Sequence, residues 1–305
     1  MDKKSGVLLV LLTAVISGFS IFLNKFGVSG INSGIFAFSK NIVVSIFLIS
    51  TIFLFNQFNE LKNLKRRGWL NLILIGLIGG AIPFLLFFRG LQLTSSASAS
   101  FIHKSMFLFV ILFAFLFLKE KIKKNVAVAA ILLMIGIFLL IKFSLNQNFL
   151  SAGNLLILIA TVFWAGENVL SKYALKELQS NIVAFGRMFF GSLFILIYLI
   201  ATSQFNLIFA LNLNQMSWIL FSSIFLYLYV FTWYNGLKFV KVSVATAILL
   251  LGSVITAFLD YLFSGMVLTL SQSIGILFIL VGILFLIGVS QSVALIRDLK
   301  WKITS

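Results

Sequence analysis

Few side chains in this sequence are able to do chemistry, and most of those that are lie inside apolar runs. His103 and Lys104 stand side by side in Ser-Ala-Ser-Phe-Ile-His-Lys-Ser-Met, and Glu167-Asn168 follow Trp164 at helical spacing. Asp260 lies two helical turns beyond Ser253, and Arg187 sits in a further apolar stretch. An embedded carboxylate can relay a proton and an embedded ammonium can hold an anion, provided each finds a partner or water. These are groups suited to a transmembrane pathway. The groups of catalysis are missing. With Cys 0, His 1 and Asp+Glu 7, no thiolate metal site, disulfide or Cys nucleophile can form. No Walker A loop, His-rich cluster, Ser/His/Asp set or carboxylate pair is visible, so no enzymatic activity, metal or cofactor is expected.

Spacing sorts the polar residues into four stripes. Thr13, Ser17, Ser20 and Asn24 form one, and Thr161, Trp164, Glu167/Asn168 and Ser171 a second. Ser96, Ser100 and His103-Lys104 form the third, and Thr246, Ser253, Thr256 and Asp260 the fourth. Steps of three, four and seven put each set on one helix face. A single Ser or Thr on such a helix usually bonds back to its own carbonyls or serves a helix contact. Four stripes together predict a shared water-accessible cavity, because polar groups facing lipid are unfavourable. His103 and Lys104 are placed at its centre, with Asn24, Asn168 and Ser253 around them and Trp164 and Trp233 as apolar walls.

The embedded cations Lys25, Lys40, Arg89, Lys104 and Arg187 outnumber the embedded acids Glu167 and Asp260, which predicts a net positive cavity. A substrate bearing a carboxylate would balance it. Glu167 lies about 21 Å below the outer end of its helix at 1.5 Å per residue, near the level of Arg187. A structural ion pair between them is the alternative to a proton-carrying Glu167. Pro83, following Gly79-Gly80, removes a backbone hydrogen bond in mid-helix and is expected to act as a hinge.

The elements that hold these residues are membrane helices. The chain is 61% hydrophobic and 10% charged, whereas soluble domains run nearer 45–50% and about 25%. A helix needs about 20 residues to cross the hydrocarbon core. Ten segments qualify, near 6–25, 34–55, 69–91, 96–118, 125–142, 153–171, 182–202, 216–237, 243–263 and 273–293. The first reads as a span rather than a cleaved signal, since Asn24-Lys25 ends it and similar segments follow. No period-two alternation persists, which argues against an outer-membrane barrel.

Charge orients the spans. Lys3 and Lys4, Lys62 to Arg67, Lys119 to Lys124, Lys172 and Lys176, Lys238 and Lys241, and Arg297 to Lys302 fall at alternate connections and at both ends. The opposite connections, near 146–148, 204–214 and 264–271, carry no charge. The positive-inside bias puts both termini in the cytoplasm. The net charge of +16 is therefore read as membrane topology, with no basic domain for nucleic acid.

The halves repeat. A shift of 147 aligns Lys25 with Lys172 and Ala37-Phe38-Ser39-Lys40 with Ala184-Phe185-Gly186-Arg187. A shift of 146 aligns Gly90-Leu91 with Gly236-Leu237 and Gly136-Ile137 with Gly282-Ile283. Five spans per half is an odd number, so the second half is inverted. Residues 1–146 and 147–305 are taken as the two repeats.

Each half thus has a polar first span ending in Lys (Lys25, Lys172) and a basic residue early in the second (Lys40, Arg187). Gly-Leu follows the third span in each half, small residues open the fourth (Ala97-Ser98-Ala99; Ser243, Ala245, Thr246), and Glu120 follows it in the first. In these features the sequence resembles the drug/metabolite transporter superfamily, in particular its EamA-type members. It departs at Met266, where a second Glu would stand, and at Phe107 and Ser253, where prolines would stand.

The resemblance implies an all-α membrane fold of ten helices in two inverted five-helix repeats. It also implies secondary-active transport of small metabolites such as amino acids or organic acids, read here as export by alternating access. Proton coupling is assigned to Glu167 or Asp260. A lipid-carrier flippase on the same fold is the alternative, and a channel fits less well for want of a filter-like segment. The expected partners are a small-molecule substrate and membrane lipid, in a multi-pass monomer or homodimer of the plasma or inner membrane.

Overall fold

The computed structural model describes residues 2–27, 30–94, 96–121, 124–141, 151–264 and 267–287, and some side chains within these ranges, those of Asn24, Lys25 and Asp260 among them, lie outside the description. Among the described residues the chain is helical throughout and has no strand. The first repeat comprises α1 (Lys3–Gly27), α2 (Ser33–Leu54), the short α3 (Phe58–Lys62), α4 (Arg66–Ile75), α5 (Ile82–Leu93), α6 (Ser96–Lys104), α7 (Met106–Leu118) and α8 (Lys124–Ile141). The second comprises α9 (Ala152–Ala174), α10 (Ser180–Ala201), α11 (Leu213–Leu237), α12 (Val242–Ile248), α13 (Leu251–Ser264) and α14 (Leu270–Ile287).

Among the described residues, three of the ten crossings are interrupted. The third is α4 and α5 joined by a π-helical segment, Gly76–Ala81. The fourth breaks at Ser105 between α6 and α7, and the ninth at Leu249-Leu250 between α12 and α13. Eight crossings have a long, apolar, membrane-compatible helical stretch, while α8 and α14 are shorter apolar helices of 18 residues each. At 1.5 Å per residue these two still reach about 27 Å.

The inverted symmetry is written into the backbone. At the end of α2, Asn56 takes a left-handed φ of 55°, its N–H bonds Phe53, and that of Gln57 bonds Ile52. At the end of α10, Ser203 has φ 57°, its N–H bonds Ile200, and that of Gln204 bonds Leu199. Both are Schellman caps, which satisfy carbonyls at a helix end. They lie one repeat apart.

Packing follows the same exchange. α2 lies on α10 and α8 on α14, while α1 against α11 and α13 is mirrored by α9 against α5 and α7. Small residues permit the closest crossings. A Cβ on Gly236 would come within 2.9 Å of the Gly6 carbonyl, and one on Gly90 within 2.8 Å of that of Gly153. The outward faces carry large exposed apolar side chains, Phe117 (71%) and Phe209 (78%) among them, as a lipid-solvated surface requires.

Candidate functional site

The site begins with a missing donor. Pro83 has no N–H, so the carbonyl four residues earlier, that of Gly79, loses its α-helical partner. Two side chains supply one. Trp164 Nε1 on α9 donates to it at 3.1 Å, and Arg187 Nη2 on α10 donates at 3.4 Å. Asn41 Nδ2 on α2 donates to the neighbouring Gly80 carbonyl at 3.0 Å. The π segment is therefore held by three surrounding helices. The approach is close: a Cβ on Gly79 would lie 2.2 Å from Glu167 Cγ, and one on Gly80 would lie 2.3 Å from the Arg187 carbonyl. Any larger residue at either position would push the helices apart.

Arg187 also faces Glu167, with Nη1 and Oε2 3.8 Å apart and both side chains buried. Glu167 Oε1 accepts from the Tyr234 hydroxyl and from Ser171 Oγ, each at 2.6 Å. The two hydroxyl donors thus satisfy Oε1, while Oε2 faces the guanidinium without a hydrogen bond of its own. Tyr234, from α11, also accepts from Arg187 Nη1 at 3.4 Å, which closes the network.

The other predicted residues surround the break in the fourth crossing. His103 and Lys104 occupy the last turn of α6. The His103 ring lies 4.8 Å from that of Trp164 and 5.4 Å from that of Phe87, and its buried Nδ1 has no hydrogen-bond partner. Phe84 and Phe87 each lie 5.4 Å from Trp164. Lys104 is half-buried and, among the described residues, has no carboxylate within ion-pair distance. Asn168 Nδ2 donates to the Trp164 carbonyl at 2.8 Å and contacts the sulfur of Met106, the first residue of α7.

Trp164 is thus the junction: its N–H braces Gly79 and its ring abuts His103. Trp233 is buried in α11, stacked on Tyr229, and its Nε1 has no partner. Ser253 is in the first turn of α13, beside the second break, and its Oγ is buried without a partner. Asn24 and Asp260 have side chains outside the description.

The stripes expected to line one cavity are used differently. Thr161 Oγ1 bonds the Ile157 carbonyl and Thr246 Oγ1 that of Val242, each within its own helix. Thr13 bonds Leu9 and Thr232, and Thr256 bonds Gly252 and Gly18, so these two tie α1 to α11 and α13. The cause is local. In an apolar surround the carbonyl one turn back is the nearest acceptor for a hydroxyl. Sequence reasoning also missed Tyr234, Asn41, Phe84 and Phe87. Only the Gly79 carbonyl was within its reach, by counting back from Pro83.

At the end of the bundle carrying the basic loops, Glu120 caps α12. Its carboxylate accepts from Val242 N at 3.2 Å and from Ser243 Oγ at 2.6 Å. Lys172 Nζ donates to the carbonyls of Leu237 and Lys238 at 2.6 and 3.0 Å. At the other end the ties are neutral: Asn32 Nδ2 to Gln204 Oε1 at 3.1 Å and Gln215 Nε2 to the Gly30 carbonyl at 3.0 Å.

A model of the EamA-like transporter family matches residues 4–142 and again residues 151–288. The chain belongs to that family. Its family and its long apolar helices are those of a multi-pass membrane protein. It is also 26% identical over 191 residues to an uncharacterized transporter of Methanothermobacter thermautotrophicus, a match spanning 58% of this chain and 56% of that protein. A crystal structure superposes with a TM-score of 0.77 at 14% identity, covering 93% of this chain and 96% of the other. That likeness concerns the fold alone.

Proposed function

We propose that this EamA-family protein is a secondary-active exporter of small carboxylate-bearing metabolites, such as amino acids or organic acids. It works by alternating access in the plasma or inner membrane, with the basic end in the cytoplasm. The observation that carries the reading is Lys104. It sits in the last turn before a mid-membrane helix break, and among the described residues no carboxylate neutralises it. A lysine at such depth is costly without an anion or water. Glu167, the described embedded acid, is already engaged by Arg187, Tyr234 and Ser171. A substrate carboxylate supplies the balancing charge, with His103, Trp164 and Asn168 beside it, Ser253 next to the second break and Trp233 as an apolar wall on α11. Broken helices at matching positions of inverted repeats are where such transporters expose backbone groups to cargo.

Proton coupling is assigned to Glu167. Protonation removes the charge facing Arg187, and Arg187 then loosens its hold on the Gly79 carbonyl beside Pro83. Proton uptake and hinge movement are linked in this way, with Asp260 as the second candidate carboxylate. The test is thermal stabilisation of the purified protein by a panel of amino and organic acids, since a ligand of the native state raises its melting point. Lys104→Ala should weaken the best ligand at least about tenfold, or about 1.4 kcal/mol. Unchanged affinity in a folded Lys104→Ala protein would make the lysine structural and overturn the assignment.

A further inference from the structure

A groove of about 240 Å³ lies between α7 and α9, away from the site above. Its walls are Phe113 and Phe117 on α7 and Val169 and Leu170 on α9, and its floor is Gly166. The floor is open, because a Cβ on Gly166 would meet nothing nearer than Phe113 Cε2 at 4.0 Å. Phe117 is among the most exposed apolar residues of the chain, so the groove opens sideways into the hydrocarbon. From Gly166 to Tyr173, which closes its basic end, α9 rises about 10 Å at 1.5 Å per residue.

Tyr173 is flanked by cations. Its hydroxyl accepts from Arg67 Nη2, and the Arg67 Cζ and Lys176 Nζ each lie 5.6 Å from its ring centroid. Both cations are exposed, and among the described residues neither has a carboxylate within ion-pair distance. Lys119, directly after the groove residue Leu118, is exposed at the same end of the bundle. An apolar slot in the membrane ending in exposed guanidinium and ammonium groups is complementary to one kind of molecule: an acyl chain ending in a phosphate.

We infer that this groove is a binding site for an anionic phospholipid of the leaflet at the basic end. One acyl chain lies over Gly166 and the phosphate lies between Arg67 and Lys176. The site is separate from the substrate pathway, and its failure would leave the reading of Lys104 untouched. Basic clusters beside membrane helices hold anionic headgroups by such charge pairing.

The experiment is native mass spectrometry of the full chain titrated with phosphatidylglycerol, phosphatidylcholine of the same acyl chains, or glycerol phosphate. The wild type should retain phosphatidylglycerol about tenfold or more better than phosphatidylcholine, the effect of two basic residues near the surface. Arg67→Gln with Lys176→Gln, both at exposed positions, should erase that preference. Gly166→Leu fills the slot without displacing backbone and should lower retention of both lipids while the melting temperature stays within a few degrees. Three results would overturn the site: equal retention of the two lipids, an unchanged preference in the double variant, or glycerol phosphate competing as well as the lipid. Movement of labelled phosphatidylglycerol between leaflets by reconstituted protein would also overturn it, by making the lipid cargo.

Discussion

Pro83 and Arg187 meet at a single atom. The Gly79 carbonyl, which Pro83 leaves without its helical donor, accepts from the Arg187 guanidinium at 3.4 Å. The same guanidinium faces the Glu167 carboxylate at 3.8 Å. A weak point in the third crossing is thereby connected to a buried ion pair between the sixth and seventh. The Glu167 carboxylate and the π segment therefore share one side chain, that of Arg187.

Removing the proline should test that connection. Pro83→Ala restores an N–H for Gly79 and regularises the helix, which should raise the melting temperature. Trp164 and Arg187 then compete for an acceptor already in use. Transport by reconstituted protein should fall several-fold. A variant that is more stable and equally fast would show that the segment does not move during transport.

The ion pair makes a separate prediction. Arg187→Met leaves Glu167 buried and uncompensated and should cost about 3–5 kcal/mol, whereas Glu167→Leu with Arg187→Met should recover much of the loss. Melting temperatures of the singles and the double give the comparison. If Glu167→Gln also abolishes stimulation by a pH gradient while exchange persists, the carboxylate carries the proton. Unaltered gradient dependence in that variant and in Asp260→Asn would remove both candidates.

How much of this was legible in the sequence varies by residue. The ten crossings follow from hydropathy, the repeat from pairs such as Gly90 and Gly236, where a close helix crossing leaves room for little else, and the inversion from five spans per half. Glu167 and Arg187 could be set near one depth by counting residues, but their azimuths, and so their contact, could not. The breaks at Ser105 and Leu249-Leu250 were not expected, because the residues that usually interrupt a helix there are absent. No proline marks either point, Phe107 and Ser253 standing just past the two breaks, although Gly252 follows the second and the polar pair His103-Lys104 precedes the first. The α3 helix, Phe58–Lys62, is too short for any period to register. The hydroxyl stripes misled because the same residues that wet a cavity also bond back to their own turn.

Topology is open to a direct test, since the chain contains no native cysteine. A single cysteine at residue 148 should react with a membrane-impermeant maleimide on intact cells. One replacing Asn63 should react only after permeabilisation. The opposite pattern would invert the protein and exchange the roles of the two ends.

Glu120 ties the end of the fourth crossing to α12 at the basic end, and this contact should set how readily that end opens. The carboxylate accepts from both Val242 N and Ser243 Oγ at the start of α12, a helix of seven residues. Glu120→Ala removes both acceptors, and a lost cap of this kind is worth about 1 kcal/mol. That corresponds to about a fivefold shift toward the state open at the basic end. Thr246 is buried one turn into α12, so a Thr246→Cys substitution reports on the opening. Its thiol should react with maleimide about fivefold faster when Glu120→Ala is added, while a cysteine replacing Asn32 at the other end should react more slowly. Equal acceleration at both positions would mean that Glu120 only stabilises the fold, and no change at either would mean that the cap does not hold the end shut.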